Sequence, residues 1–402
     1  MDVSIPPSID VATFALQAGV VCAHAWLAWE LHGLLRRRGV RHSWLWAALL
    51  VAPAVALLMS GGLFRRVMRV MGLDGDAPHL WRLCSAMWNI GLGGAFAVEM
   101  ARRGWRLWRV RRARNRRDDG TPASEPELTR VGLMTRRAAL AAPFAVSGYG
   151  VFIERERFRL TEVDMAVPDL PRDLDGLRIG QITDIHAGPF LAPREIERVV
   201  AMVNEAKPHL SVVTGDLITG PGDPLHETVD VLSALRADSG VWGCMGNHEK
   251  YARCLGEAQI YGRAKGIEFL RQSSRVLEFG DARLNLVGVD YQRTSQPYLV
   301  GAENWIEPGA LNLLLSHNPD VFPVAAKQGY DLVLSGHTHG GQITLEIVDQ
   351  TVNPGRFLTP YVSGSYQIDK SSIYVSRGLG TVTLPMRLGA QPEAAIIRLR
   401  RA

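Results

Sequence analysis

Cysteine is scarce in this chain: there are four in 402 residues, at positions 22, 84, 244 and 254. None forms a CxxC pair or a Cys/His zinc-finger spacing, so a disulfide framework and a cysteine-based metal ribbon are both excluded. The four read as small buried side chains. A basic excess is also missing from most of the chain. Residues 1–153 carry 20 Lys/Arg against 10 Asp/Glu, whereas residues 154–402 carry 25 against 30, so the overall +5 belongs to the N-terminal part. A nucleic-acid-binding domain needs a basic stripe on its working face, which makes nucleic acid an unexpected partner. No internal repeat is present.

Long uncharged runs are present, and they lie in the first 153 residues. Trp44–Phe64 has 21 residues without a charge, broken by Pro53 and a Ser-Gly-Gly near its end. That meets the roughly 20-residue length of a membrane-crossing helix. Val11–Trp29 is a second run, diluted by Gln17 and His24, and Leu83–Met100 a third, interrupted by Asn89 and ended by Glu99. Tryptophans 26, 29, 44, 46, 81 and 105 fall near the run ends, as interfacial aromatics do. A fourth run, Ala138–Ile153, has 16 residues and follows Arg136-Arg137 as in a twin-arginine export signal. It reads first as a membrane helix, then as an uncleaved signal, then as an amphipathic linker. Loop arginines set the orientation. The N-terminus is expected outside, and a fourth crossing would carry residues 154–402 to the same face. The basic run Arg102–Arg117 reads first as a topology determinant and solvated tether, and second as a site for anionic headgroups.

From Leu177 onward, short apolar runs alternate with longer amphipathic ones. Strands are expected at Leu177–Thr183, Leu210–Gly215, Gly240–Gly246, Arg283–Val289, Leu311–Ser316, Asp331–Gly336, Ser371–Ser376 and Ala394–Leu399. Helices are expected at Pro193–Ala206, Pro224–Arg236 and Pro319–Gln328. Fully apolar runs interleaved with helices indicate sheet covered on both faces, and so many strands indicate two packed sheets.

Five polar clusters follow five of these runs: Asp184-Ile185-His186, Gly215-Asp216, Gly246-Asn247-His248-Glu249, Ser316-His317-Asn318, and Gly336-His337-Thr338-His339-Gly340-Gly341. A lone DxH or GD says little. Five clusters in series, each presenting a metal ligand after an apolar run, can converge on one edge of a sheet, where α/β proteins bind their ligands. Imidazole mixed with carboxylate suits manganese, iron or zinc better than calcium or magnesium.

The order DxH…GD…GNHE…H…GHxH resembles the calcineurin-like metallophosphoesterase superfamily, across about residues 177–345. The resemblance implies an α/β fold, a two-sheet β-sandwich flanked by helices, here preceded by an all-α transmembrane region. It implies one divalent metal on Asp184, His186, Asp216 and His339, and a second on Asp216, Asn247, His317 and His337, with Asp216 bridging. His248 would face the substrate phosphate as the candidate acid. Nothing is placed to form a phospho-enzyme, so direct attack by metal-activated water is expected. Arg377, in the Ser376–Gly380 run, is a candidate for substrate binding or a surface arginine of a Gly-rich turn. Glu249 and Asn318 are expected to orient histidines.

The layout, ending in SRGLG and LP-x-R-LG (Leu384–Gly389), resembles the membrane-associated bacterial branch. This implies a multi-pass protein of the inner membrane: residues 1–117 a transmembrane region of about three helices, 118–157 a linker with the fourth run, and 158–402 the catalytic domain on the periplasmic face. The expected substrate is a phosphodiester, phosphomonoester or diphosphate of an envelope or lipid-linked molecule. Three alternatives stand beside it. One is a UDP-2,3-diacylglucosamine-type pyrophosphohydrolase on the cytoplasmic face, and another is a non-catalytic metal and phosphate sensor. The last is a transport path, for which His24, Glu30, Asn89 and Glu99 are the only polar candidates.

Overall fold

In the N-terminal part of the chain three of the four apolar runs, Val11–Trp29, Leu83–Met100 and the one that starts at Ala138, lie in helices. The computed structural model describes residues 7–49, 51, 77–114, 130–293, 297–347 and 350–402. It divides into two units, Met1–Val151 and Phe152–Ala402. In the first unit lie α1 (Pro7–Arg37), α2 (Ala77–Arg114) and α3 (Arg130–Phe152). Two glycines of α2 let α3 come close: a Cβ on Gly91 would meet the Phe144 ring at 2.5 Å, and one on Gly94 would meet Pro143 at 2.7 Å. Ser147 of α3 donates to the Met87 carbonyl at 3.0 Å.

The multi-pass membrane location is corrected here. Among the described residues, no helix is long and apolar enough to cross a membrane. The physical reason is polar dilution. The α2 run contains Asn89, and it ends at Glu99, which is held in ion pairs by Arg102 and Arg103. The apolar part of α3 starts only after Arg136-Arg137 and contains Pro143. Val11–Trp29 falls within α1, and most of Trp44–Phe64 lies outside the described residues. The periplasmic placement depended on Ala138–Ile153 crossing and falls with it.

The second unit is built on two six-stranded mixed sheets. The first sheet joins β1 (Arg159–Val167), β2 (Arg178–Ile182), β3 (Leu210–Thr214), β4 (Val241–Cys244), β5 (Ile267–Phe269) and β14 (Glu393–Arg401) in the order β1-β14-β2-β3-β4-β5. The second joins β6 (Ser273–Phe279), β7 (Ala282–Gly288), β8 (Leu311–Leu315), β9 (Leu332–Ser335), β12 (Gly364–Ile368) and β13 (Ser371–Val375) in the order β12-β13-β9-β8-β7-β6. Strands β10 (Leu345–Ile347) and β11 (Gln350–Val352) form a separate pair. In each sheet four adjacent strands run parallel: β2, β3, β4 and β5 in one, β7, β8, β9 and β13 in the other.

Side-chain alternation assigns three cores. Ile179, Leu210, Val212 and Ile397 of the first sheet meet Leu284, Leu313, Leu315 and Leu334 of the second in a layer between the sheets. On the outer face of the first sheet, α4 (Pro193–Glu205) buries Ile196, Val199, Val200 and Val203, the i, i+3, i+4, i+7 stripe of a helix on a sheet. Beside it lies α5 (Leu225–Leu232), followed in the chain by α6 (Asn247–Tyr251) and α7 (Leu255–Ala264). On the outer face of the second sheet, α8 (Phe322–Gln328) packs Phe322 and Ala325 over Val333 and Val375.

The expected central strands appear within a residue or two of their bounds. Strands β1, β5, β6 and β12 were not expected, nor was the β10–β11 pair. The first four are the edges of the two sheets, where one flank lacks a partner strand and the apolar signal is diluted or short. The helix expected at Pro319–Gln328 begins with a 3₁₀ turn, Pro319–Val321, because Asn318 caps it by accepting from the Asp320 N–H at 3.0 Å.

Candidate metal centre

The five polar clusters sit at the carboxyl ends of β2, β3, β4, β8 and β9, so the two sheets present them to one another. The chain turns sharply at each exit. Asp184, His186, Asp216, His337 and His339 all have φ between 49° and 74°. Left-handed backbone at a non-glycine residue costs on the order of 1–3 kcal/mol and persists only where the surroundings enforce it. Here those surroundings are tight. A Cβ on Gly336 would lie 2.1 Å from Asp184 Oδ2, and one on Gly246 would lie 2.1 Å from Asp216 Oδ1. Only glycine lets the strand ends approach the carboxylates this closely.

The side chains form three overlapping groups of ligand atoms: Asp184 with His186 and His339, His186 with Asp216 and His248, and Asp216 with His317 and His337. Asp216 Oδ2 lies 3.0 Å from His317 Nε2, 3.5 Å from His186 Nε2 and 4.0 Å from His248 Nε2. Asp184 Oδ1 lies 3.3 Å from His339 Nε2 and 3.9 Å from His317 Nε2. The structure thus brings Asp184, His186, Asp216, His248, His317, His337 and His339 into one cluster. Asn247 opens α6 directly after the Gly246 turn and is buried. Arg377 is engaged elsewhere: Nη1 donates to Glu393 Oε2 at 2.9 Å, and its N–H donates to Oε1 of the same carboxylate.

Burial sets the protonation of the cluster. It pushes His186 and His337 down to about 3, and His339 well below the usual imidazole value, so three imidazoles are neutral and offer lone pairs. Burial raises Asp184 to about 6. Burial alone would also raise Asp216, but His317 holds it well below the usual carboxylate range. Burial likewise opposes charge on His317, yet Asp216 and Asp184 outweigh it and push the imidazole up to about 10. Two buried carboxylates therefore draw positive charge inward.

Divalent metals fit these residues. His186 Nε2 and His339 Nε2 face each other at 3.1 Å, so with both in the Nδ1–H tautomer their lone pairs converge on one point, where a shared cation fits. The Asn247 amide oxygen is buried without a hydrogen-bond partner among the described residues. His317 donates from Nδ1 to the Thr214 carbonyl at 2.7 Å, which leaves Nε2 for the cluster.

Three supporting groups act otherwise than expected or went unforeseen. Glu249 accepts from the N–H groups of Asp216 (3.0 Å), Leu217 (2.7 Å) and Gly246 (2.8 Å), so it ties the β3 and β4 exits together instead of orienting a histidine. Asn318 donates to the Gln292 carbonyl and likewise orients backbone. Arg387 is fully buried and donates to the carbonyls of His339 (2.8 Å), Arg377 (2.9 Å) and Gly380 (Nε, 3.1 Å), bracing the loop that carries His339. Its only trace in the sequence is the LP-x-R-LG run, where an arginine reads as a surface residue.

Paired sheets whose strand ends gather carboxylates and imidazoles for two divalent metals define a metal-dependent phosphoesterase. The chain belongs to the calcineurin-like phosphoesterase family, which it matches over residues 177–341. It is 30% identical to the metallophosphoesterase YkuE of Bacillus subtilis over 256 residues, which cover 63% of this chain and 89% of that protein. It is 30% identical to a zebrafish (Danio rerio) protein named transmembrane protein with metallophosphoesterase domain, covering 66% of this chain and 62% of that one. This chain thus spans less than two thirds of that vertebrate relative. It is 29% identical to the phosphodiesterase YaeI of Escherichia coli, covering 54% of this chain and 80% of the relative.

Proposed function

We propose that the site hydrolyses phosphodiesters, with His248 as the proton donor to the leaving oxygen. The observation that carries this reading is the position of Asp216, whose Oδ2 lies between His317 and His186, so that one carboxylate serves both halves of the cluster. Asp184, His186, Asp216 and His339 would hold one metal, and Asp216, Asn247, His317 and His337 the other. When bound, two such metals neutralise phosphoryl charge and lower the pKa of water.

The remaining chemistry belongs to the chain. The Thr219 carbonyl lies 2.5 Å from His248 Nδ1 and accepts a hydrogen bond from it, which leaves Nε2 as the nitrogen facing the cluster. The His248 backbone N–H donates to Asp216 Oδ1 at 2.9 Å, so the same residue that presents the acid also orients the shared carboxylate. A proton on Nε2 can pass to an alkoxide leaving group. His248 is partly exposed while His186, Asp216 and His317 are buried, which suits a group that must meet substrate. A phosphodiester is preferred because the Escherichia coli relative bears the name phosphodiesterase.

The test compares His248→Ala with the native chain on a p-nitrophenyl diester and on an alkyl diester, with metal content measured in both. General acid catalysis contributes about 10²–10⁴-fold, so the alkyl diester should slow by that order while the nitrophenyl ester and the metal content change little. Near-normal turnover of the alkyl ester would remove His248 from the reaction. Offering the same diester as a micellar phospholipid tests the lipid-linked class directly.

A further inference from the structure

The first unit contains a cavity of about 480 Å³ lined by Arg36, Arg37, Arg102, Arg103, Arg106 and Arg136. Its residues come from α1, α2 and α3, with Trp44 from the segment after α1. Arg36 and Arg37 close the last turn of α1, Arg136 comes from α3, and Arg102, Arg103 and Arg106 follow Glu99 along α2. Positions 99, 102, 103 and 106 are spaced i, i+3, i+4 and i+7, so they share one helix face.

Two carboxylates stand among the six guanidiniums, and both are already engaged. Glu99 is fully buried and accepts from Arg102 at 2.6 and 2.8 Å and from Arg103 at 2.8 Å. Glu30 accepts from Arg103 at 2.5 Å and from Trp26 at 3.3 Å. These contacts hold Arg102 and Arg103 in the cavity lining. Arg136 reaches Glu99 only at 3.5 Å, and its Nε is buried with no hydrogen-bond partner among the described residues. Gathered guanidiniums repel one another, and their planar donor forks match the oxygens of a phosphate group in pairs. Tryptophan and histidine form one wall, with Trp44 stacked on His32 at 4.0 Å, and the Arg103 guanidinium sits over the Trp29 ring at 5.0 Å.

We infer that this arginine-lined cavity is an anion site that takes a phosphate-bearing ligand. The cavity is larger than a bare phosphate ion, so it has room for a phosphorylated small molecule or for the headgroup of an anionic phospholipid. The site uses no residue of the metal centre, and its occupation does not depend on the hydrolytic reading.

The experiment uses the full metal-loaded chain. Calorimetric titration with inorganic phosphate is compared between the native protein and Arg106→Gln/Arg136→Gln, with diester turnover as the check that the metal centre is intact. Binding at the metals is common to both proteins and cancels in the comparison. Loss of two charged hydrogen-bond donors should weaken the arginine-dependent component about 100-fold or more, with turnover unchanged. The same pair is then tested for flotation with phosphatidylcholine vesicles with and without phosphatidic acid. Arginine-dependent phosphate binding without flotation assigns a soluble phosphate compound. Arginine-dependent flotation requiring phosphatidic acid assigns a headgroup. Equal phosphate binding and equal flotation by native and variant proteins overturn the site. If the double variant does not fold, Arg36→Gln, at an exposed position in the last turn of α1, reads the same two outcomes.

Discussion

Replacing Glu249 with glutamine tests whether a buried carboxylate, and not the metal ligands alone, shapes the centre. In the native protein Oε2 accepts the N–H groups of Asp216 and Gly246, and Oε1 accepts that of Leu217. Glutamine keeps one oxygen. Its best orientation retains the two bonds at Oε2 and turns the NH₂ group onto the Leu217 N–H, so donor faces donor. One charge-assisted bond is lost at about 1–3 kcal/mol, and two others weaken to neutral strength at about 1 kcal/mol each. Part of this returns, because burial and the neighbouring Asp216 already disfavour the ionised form of Glu249. The net cost is about 2–3 kcal/mol, which for a unit of this size lowers Tm by roughly 5–10 °C. The assay is thermal unfolding in excess manganese, beside Glu205→Gln, an exposed position at the end of α4. Metal retained after dialysis is measured in parallel, and it should fall in Glu249→Gln because the Asp216 turn loosens. A Tm within about 1 °C of the Glu205 control, with equal metal retention, would refute the clamp.

Other changes probe neighbouring parts of the same architecture. Gly336→Ala places a methyl 2.1 Å from Asp184 Oδ2, so it should cost about 1–3 kcal/mol and lower metal content after dialysis; full metal occupancy would contradict the close-approach argument. Arg387→Met removes a donor from the carbonyls of His339, Arg377 and Gly380, of which His339 keeps the Gln342 N–H. It should destabilise by about 2–4 kcal/mol and reduce activity more than a substitution on α5, as read by unfolding and diester turnover. In chelator-treated protein, His317 stands raised to about 10. Its contribution to stability is complete below its unfolded value of about 6.5 and is lost as pH rises toward 10. Thermal melts across that window should therefore show a decline, and His317→Gln should flatten it.

The metal centre was legible because its signal is local. Each ligand follows an apolar run, and such runs must become central strands, so their ends must gather at one edge. The order of Asp184, Asp216, His317 and His339 therefore carried both chemistry and topology. The helix α4 was legible for the same reason: Ile196, Val199, Val200 and Val203 repeat at the helical period. Edge strands β1 and β12 were not legible, since half of each faces solvent and the alternation is faint.

In the α2 and α3 runs, length was weighed above polar content. Glu99 ends its run in sequence, but in three dimensions it gathers Arg102, Arg103 and Arg136 about itself. The sequence by itself determined the family, the two-sheet plan and the side chains able to hold two metals, because strand periodicity and ligand spacing are properties of neighbouring residues. Only the tertiary structure decided the jobs of Glu249 and Arg387 and the union of Arg36, Arg106 and Arg136 around one cavity. Those roles depend on contacts between residues far apart in the chain, where burial turns a charge that reads as surface into an internal brace.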